Sequence, residues 1–268
     1  MKVVRTKVEL RETLAGLGED RGLVPTMGAL HAGHRALFDR ARRECEVVVA
    51  SIFVNPAQFG PDEDFERYPR SPEDDLTVAE AAGVDVLFAP STDEMYPPGF
   101  DTWVDVGELG ARLEGSARPG HFRGVATVCL KLFNLVRPRR AYFGQKDAQQ
   151  AAVVEQLVRD LDLDLEIRVV GTVRDEDGVA VSSRNIYLNE SERKAARAIP
   201  AALRAGELAF AESGDPVAAA ARVLDDEPRL ATEYVELARL NGRLHLLAAV
   251  RAGRTRLIDN IVLEGEVL

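Results

Sequence analysis

Short apolar strands alternating with amphipathic helices predict an α/β protein: a doubly wound parallel sheet followed by a smaller α+β domain. Three observations carry that expectation. The run VVVASIFV, within 46–54, is nearly continuous and β-branched, as befits a strand buried on both faces. Val125, Val128, Cys129, Leu132, Phe133 and Val136 recur at the spacing of one helix face. Past residue 174 the alternation stops, and alanine-rich helical stretches precede two strand-like runs. The expected division is therefore 1–174 and 175–268.

In chain order, strands are expected at 22–25, 46–54, 84–88, 102–106, 140–143 and 165–170. Helices are expected at 34–44, 72–82, 125–136 and 148–160, with Cys129 as core packing on the third. The RDEDG segment at 174–178 reads as a hairpin or turn because Asp-Gly supplies the backbone freedom such turns need. Helical stretches at 190–212 and 216–225 and strands at 230–239 and 254–263 complete the smaller domain. In a doubly wound sheet the ligand lies at the carboxyl ends of the strands, so the residues just after each strand are the candidates.

Composition narrows the function. With 268 residues, 46% hydrophobic and 29% charged, the chain can bury a core, which excludes global disorder. A net charge of −10 argues against a generic nucleic-acid or anionic-membrane partner. The first residues lack a signal-peptide core, and no run approaches the roughly 20 apolar residues of a membrane span, so a cytoplasmic location is expected. Cys45 and Cys129 suggest neither a disulfide framework nor a zinc cage. Only five of the 34 basic residues are lysines, so Lys146, inside a motif, draws notice as a compact ammonium.

Four segments carry chemistry. PTMGALHAGH, 25–34, follows a strand and opens a helix. Gly28 permits a tight turn, Gly33 lets a ligand approach the backbone, and His31 and His34 share one face of a helical turn whose amides favour an anion. A core histidine pair and a metal pair completed by His121 or a carboxylate are the other readings. FGQKDAQQ, 143–150, offers Gly144 for a turn, Lys146 as a point charge for phosphate, Asp147 as a cap or a ligand contact, and one of Gln149 and Gln150 toward a site. VSSRN, 181–185, suits a mobile phosphate clamp. FVNPAQFG, 53–60, places Asn55 and Gln58 between Phe53 and Phe59, a surface for a small hydroxylated substrate, or an ordinary Asn-Pro turn. Tyr68, Asp74, Asp75, Glu114, Arg118, His121 and Arg123 read as loop residues for a second pocket, with Asp74 or Asp75 reaching a metal through water.

Together, PTMGALHxGH, FVNPxQF, YPR (68–70), HFRGV (121–125), FGxKDxQQ and SSRN resemble the pantothenate synthetase (pantoate–β-alanine ligase) family across nearly the whole chain. That family belongs to the HxGH nucleotidyl-transferring superfamily with a Rossmann-like nucleotide-binding domain. Val181, Ala148 and Gln145 depart from residues frequent in it. The resemblance implies ATP-dependent condensation of (R)-pantoate with β-alanine through a pantoyl-adenylate, a Mg²⁺ requirement with unassigned ligands, and a homodimer. By position it implies ATP binding by Met27, Gly28, Ala29, Leu30, His31, Ala32, Gly33, His34, Gly144, Gln145, Lys146, Asp147, Val173, Val181, Ser182, Ser183 and Arg184. His34 would be the proton donor, Gln58 and Gln150 would hold pantoate, and Gln58 would border β-alanine. His31, His34, Lys146 and Arg184 are expected to gather around one triphosphate as the catalytic set. The rivals are a nucleotidyltransferase that leaves AMP or CMP on its product and a non-catalytic nucleotide sensor.

Overall fold

The computed structural model describes residues 1–61 and 63–265 and resolves them into two compact units. Unit 1 comprises Met1–Phe143 and Gln149–Val170, and unit 2 comprises Gly144–Ala148 and the described residues from Gly171 on.

Unit 1 contains β1 (Lys2–Val4), α1 (Lys7–Ala15), β2 (Arg21–Thr26), α2 (Ala32–Glu44), β3 (Val47–Ile52), α3 (Pro72–Ala81) and β4 (Val86–Phe88). It continues with the single-turn helices α4 (Thr92–Met95) and α5 (Glu114–Ala117), then α6 (His121–Val136), β5 (Arg140–Gly144), α7 (Ala148–Asp160) and β6 (Glu166–Val170), the end residues Gly144 of β5 and Ala148 of α7 being counted with unit 2. The sheet order is β1-β4-β3-β2-β5-β6, with β2 paired in parallel to both β3 and β5. Strand order reverses between β2 and β5, so the crevice expected of a doubly wound sheet opens where the chain leaves β2, at Met27.

Strand alternation explains why β2 and β3 read as continuous apolar runs. Leu23, Val47 and Val49 enter one core with Leu10, Leu14 and the inner faces of α6 and α7. Val24, Val48 and Ala50 enter the other with Phe38, Ala41 and Ala79 of α2 and α3. Cys129 is buried in the first core, and burial pushes its thiol up to about 12.

Two sequence expectations fail here for physical reasons. The segment 102–106 forms no strand: Val104 donates its N–H to Thr127 Oγ1 at 3.0 Å, and Val104 and Val106 pack onto the core instead of joining a ladder. Several residues that read as loop lie on helices, namely Glu114 on α5, and His121 and Arg123 on α6, while Asp74 and Asp75, also read as loop residues, lie on α3 within the helix expected at 72–82. The α6 periodicity begins at Val125, but Gly120, at φ 83°, lets the helix start four residues earlier. β1 and α1 also escape the sequence reading, the strand being only three residues long.

Unit 2 contains α8 (Glu190–Ala196), α9 (Ala198–Ala211) and α10 (Pro216–Asp225), followed by β7 (Leu230–Leu240), β8 (Arg243–Ala252) and β9 (Thr255–Glu264) in one antiparallel sheet. Leu246, Ala248 and Val250 of β8 pack against Ile199, Leu203 and Leu224. The sequence reading misses β8, whose six consecutive buried residues, His245 to Val250, hide the period-two pattern. The RDEDG turn is present: Gly178 N–H donates to Asp175 O at 2.9 Å, and Arg174 and Ala180 form a bridge.

Candidate active site

The segment leaving β2 is held by a carboxylate that the sequence offers to a metal. Asp75, on α3 and 2% exposed, accepts from Ala29 N–H at 3.0 Å and Leu30 N–H at 2.7 Å. Those bonds keep Ala29 in the left-handed region at φ 50°, next to Gly28 at φ 81°. A Cβ on Gly28 would stand 2.8 Å from Asp75 Oδ2, so glycine here serves both the turn and the close approach of the carboxylate. Burial raises the Asp75 pKa, and the two amides oppose that rise only in part.

His31 and His34 then close the helix end on each other. Gly33 N–H donates to His31 Nδ1 at 3.1 Å, and His31 N–H donates to His34 Nδ1 at 3.3 Å, a reciprocal cap built from imidazoles. Because each Nδ1 accepts, a neutral ring carries its proton on Nε2. The rings lie 4.1 Å apart between centroids. Three backbone amides of this segment already have partners inside the protein: those of Ala29 and Leu30 serve Asp75, and that of Gly33 serves His31. Gly33 makes room for the imidazole itself, since a Cβ there would lie 2.9 Å from His31 Cε1.

Beyond β3, Asn55 caps the 3₁₀ turn Pro56–Gln58 and is consumed by structure. Its Nδ2 donates to Gln58 Oε1 at 3.0 Å and Gly124 O at 3.1 Å, while Tyr96 O–H donates to its Oδ1 at 2.9 Å. The Gln58 carboxamide is thereby oriented, with Nε2 3.2 Å from Met27 Sδ. The sequence offers Asn55 as a substrate group; in the fold it is a support for Gln58.

The HFRG histidine supports the same residue. Arg118 can only donate, so at 3.1 Å from its Nη1 the His121 Nε2 accepts, and His121 Nδ1–H donates to Gln58 O at 2.8 Å. Arg118 is in turn paired with Glu63 at 2.6 and 2.8 Å. Burial, and then the Arg118 charge, lower the His121 pKa to about 4, so the ring is neutral near pH 7. Of the two neighbouring glutamines, Gln149 is spent on the carbonyls of Leu109 and Arg112, each at 2.7 Å, and Gln150 is half-buried.

Unit 2 carries the other expected residues. Lys146 sits in the 3₁₀ turn Gln145–Asp147, its ammonium 3.5 Å from Asp147 Oδ1. Gly144 precedes it at φ −85° in open space, so the turn does not demand glycine. Val173 O accepts from Val181 N–H at 3.0 Å, which joins two distant residues of the expected ATP set. Ser182 caps the 3₁₀ helix Ser183–Tyr187 by accepting from Arg184 N–H at 3.3 Å, so the SSRN segment is a capped turn of helix rather than an irregular loop. Among the described residues no group of three or more His, Cys, Asp or Glu side chains could hold a metal ion.

Residues 2–262 match the Pantoate-beta-alanine ligase family. The chain is 54% identical over 278 residues to a pantothenate synthetase of Roseiflexus sp. (strain RS-1), covering 98% of this chain and all of that protein. The chain belongs to the pantoate–β-alanine ligase family. A relative from Chloroflexus aurantiacus, also named pantothenate synthetase, is 52% identical over 99% of both chains. Among solved structures, a pantothenate synthetase from Thermus thermophilus superposes with a TM-score of 0.95 at 47% identity, covering 99% of this chain and all of that one. A Francisella tularensis pantoate-beta-alanine ligase, solved with β,γ-ATP and β-alanine, gives 0.84 at 35% identity over the full length of both. The fold and the enzyme class expected from the motifs are those of the family. No helix among the described residues is long and apolar enough to cross a membrane.

Proposed function

We propose that this ligase joins (R)-pantoate to β-alanine in two steps, with its family membership as the carrying observation. The pantoate carboxylate attacks the α-phosphorus of ATP and pyrophosphate leaves. The neutral β-alanine amine then attacks the acyl carbon of pantoyl-adenylate, the amide forms and AMP departs. Neither step needs a side-chain nucleophile, which suits a chain whose cysteines are both buried.

The residues supply position and charge. His31 and His34, each with its proton on Nε2, are fit to donate to phosphate oxygens, and His34 is assigned the proton donation to the leaving group. Lys146 and Arg184 are assigned to cancel negative charge as it moves onto pyrophosphate. Gln58 Nε2 is oriented to donate to pantoate, and Gln150, rather than the occupied Gln149, is its companion. Met27, Gly28, Ala29, Leu30, Ala32 and Gly33, with Gly144, Gln145, Asp147, Val173, Val181, Ser182 and Ser183, complete the proposed ATP contacts. Mg²⁺ enters as part of the ATP complex: Asp75 is committed to two amides, and a magnesium bound by phosphate oxygens and water needs no protein cage. A cytoplasmic homodimer belongs to the same proposal.

Product analysis separates this reading from a nucleotidyltransferase. With ATP, pantoate and β-alanine the expected products are free AMP and pantothenate; a stable nucleotidylated product would overturn the reading.

A further inference from the structure

A lysine stem has four rotatable carbons, so the value of Lys146 as a point charge depends on how firmly its backbone is aimed. Its 3₁₀ turn has no side-chain cap of its own. The support comes from β9, more than a hundred residues later. Asn260 Nδ2 donates to the carbonyl oxygens of both Gln145 and Lys146, each at 2.9 Å. Its Oδ1 accepts from Gln145 Nε2 at 2.7 Å, so the two carboxamides lock together while one of them grips the turn's backbone. His245 Nδ1, on β8, lies 3.3 Å from Gln145 Nε2 and 3.4 Å from Asn260 Oδ1. Gln145, His245 and Asn260 are all buried.

Asn260 is itself fixed. Its N–H donates to Asp259 Oδ1 at 2.8 Å, and the Asp259 carboxylate takes both terminal nitrogens of Arg174 at 2.6 and 3.1 Å. The chain of bonds runs from the base of the RDEDG turn through β9 to the carbonyl of Lys146. The bonds among Gln145, Asp259 and Asn260 are buried and matched donor to acceptor, and such a set holds one geometry, because each alternative leaves a donor or acceptor unpaired.

Resting on the phosphate-neutralising role of Lys146 proposed above, we propose that Asn260 is a positioning residue that aims Lys146 for adenylation. It touches no substrate and acts through the backbone it holds.

A double-mutant cycle on the full chain tests this, with pantoate-dependent ATP–pyrophosphate exchange as the readout and thermal unfolding run alongside. Asn260→Ala is expected to lower kcat about tenfold to a hundredfold, as small misplacements of a catalytic group do. The KM for pantoate should stay within about twofold. Loss of folded protein would give the same pattern, so kcat is taken per folded enzyme and the masking in the double variant separates the two. In the Lys146→Ala background the same change should cost no more than about a further twofold, because the group it aims is gone. Gln145→Met, which removes one carboxamide and keeps the volume, should show a smaller loss with the same masking; it decides the matter if Asn260→Ala does not fold. Losses that multiply, or an unchanged kcat in folded Asn260→Ala, overturn the proposal. If Lys146→Ala alone exchanges at the wild-type rate, the assignment of Lys146 fails first and takes this one with it, a result visible in the single variant.

Discussion

The loop 27–34 and the turn 145–147 are both read as phosphate-handling segments, yet they are held in different ways. In the first, a carboxylate accepts from backbone amides and a positive-φ glycine admits it. In the second, a carboxamide donates to backbone carbonyls and no special backbone angle is involved. The opposite polarity has a local reason. The loop turns into the start of a helix, where unpaired N–H groups need an acceptor, whereas the carbonyls of the 145–147 turn need a donor. A negative charge beside a proposed phosphate loop looks counterproductive, but Asp75 is spent on the two amides of Ala29 and Leu30.

Removing the charges assigned to phosphate should have the largest effect. Lys146→Ala is expected to slow turnover about 10²–10³-fold, the loss usual for one charge-stabilising donor. AMP release measures it, and near-wild-type release would take Lys146 out of the comparison. His34→Ala should impair ATP–pyrophosphate exchange far more than pantoate binding.

Next come the anchors. Asp75→Ala leaves two amides without their charged acceptor, and bonds to charged groups are worth about 1.5–3 kcal/mol. The KM for ATP should rise about tenfold or more, with the KM for pantoate little changed. Equal rises in both would mean that Asp75 supports the unit generally and not the loop.

The His121 network gives a pH signature for unit 1. A histidine whose pKa is lowered from 6.5 to about 4 on folding binds fewer protons in the native state across that window. Stability is therefore fully present above pH 6.5 and falls as pH drops toward 4, by up to about 3 kcal/mol. Urea midpoints at several pH values should show this fall, and His121→Gln should flatten it. An unchanged slope in the variant would place the acid sensitivity elsewhere.

The smallest effects separate the two segments most cleanly. Gly28→Ala must place a side chain at φ 81° and against Asp75, and should cost about 2 kcal/mol or more. Gly144→Ala, at φ −85° in open space, should change stability by less than about 0.5 kcal/mol. Comparable losses at both, read from chemical denaturation, would erase that distinction.

These contrasts also show what a sequence exposes. The parallel sheet is legible because β2 and β3 are buried on both faces and leave unbroken apolar runs, and α6 is legible because its burial follows its period. The catalytic candidates are legible as residue types following strands. Their supports are not: Asp75 lies 45 residues from Leu30, and Asn260 lies 114 from Lys146, with no local pattern to tie either pair. Gly33 stands out by its spacing, but only coordinates show that a neighbour needing that space is His31. The 102–106 segment has a strand's composition, but its hydrogen-bonding partner is a threonine side chain on a helix.

We propose that the ligase makes an acyl-adenylate before any amide. Mass spectrometry of the enzyme incubated with ATP, Mg²⁺ and pantoate, without β-alanine, tests it most directly. The expected result is a bound species with the mass of pantoyl-adenylate and an equivalent of pyrophosphate, the adenylate then giving pantothenate and AMP once amine is added. Pyrophosphate that appears only after β-alanine is supplied, with no adenylate beforehand, would contradict it.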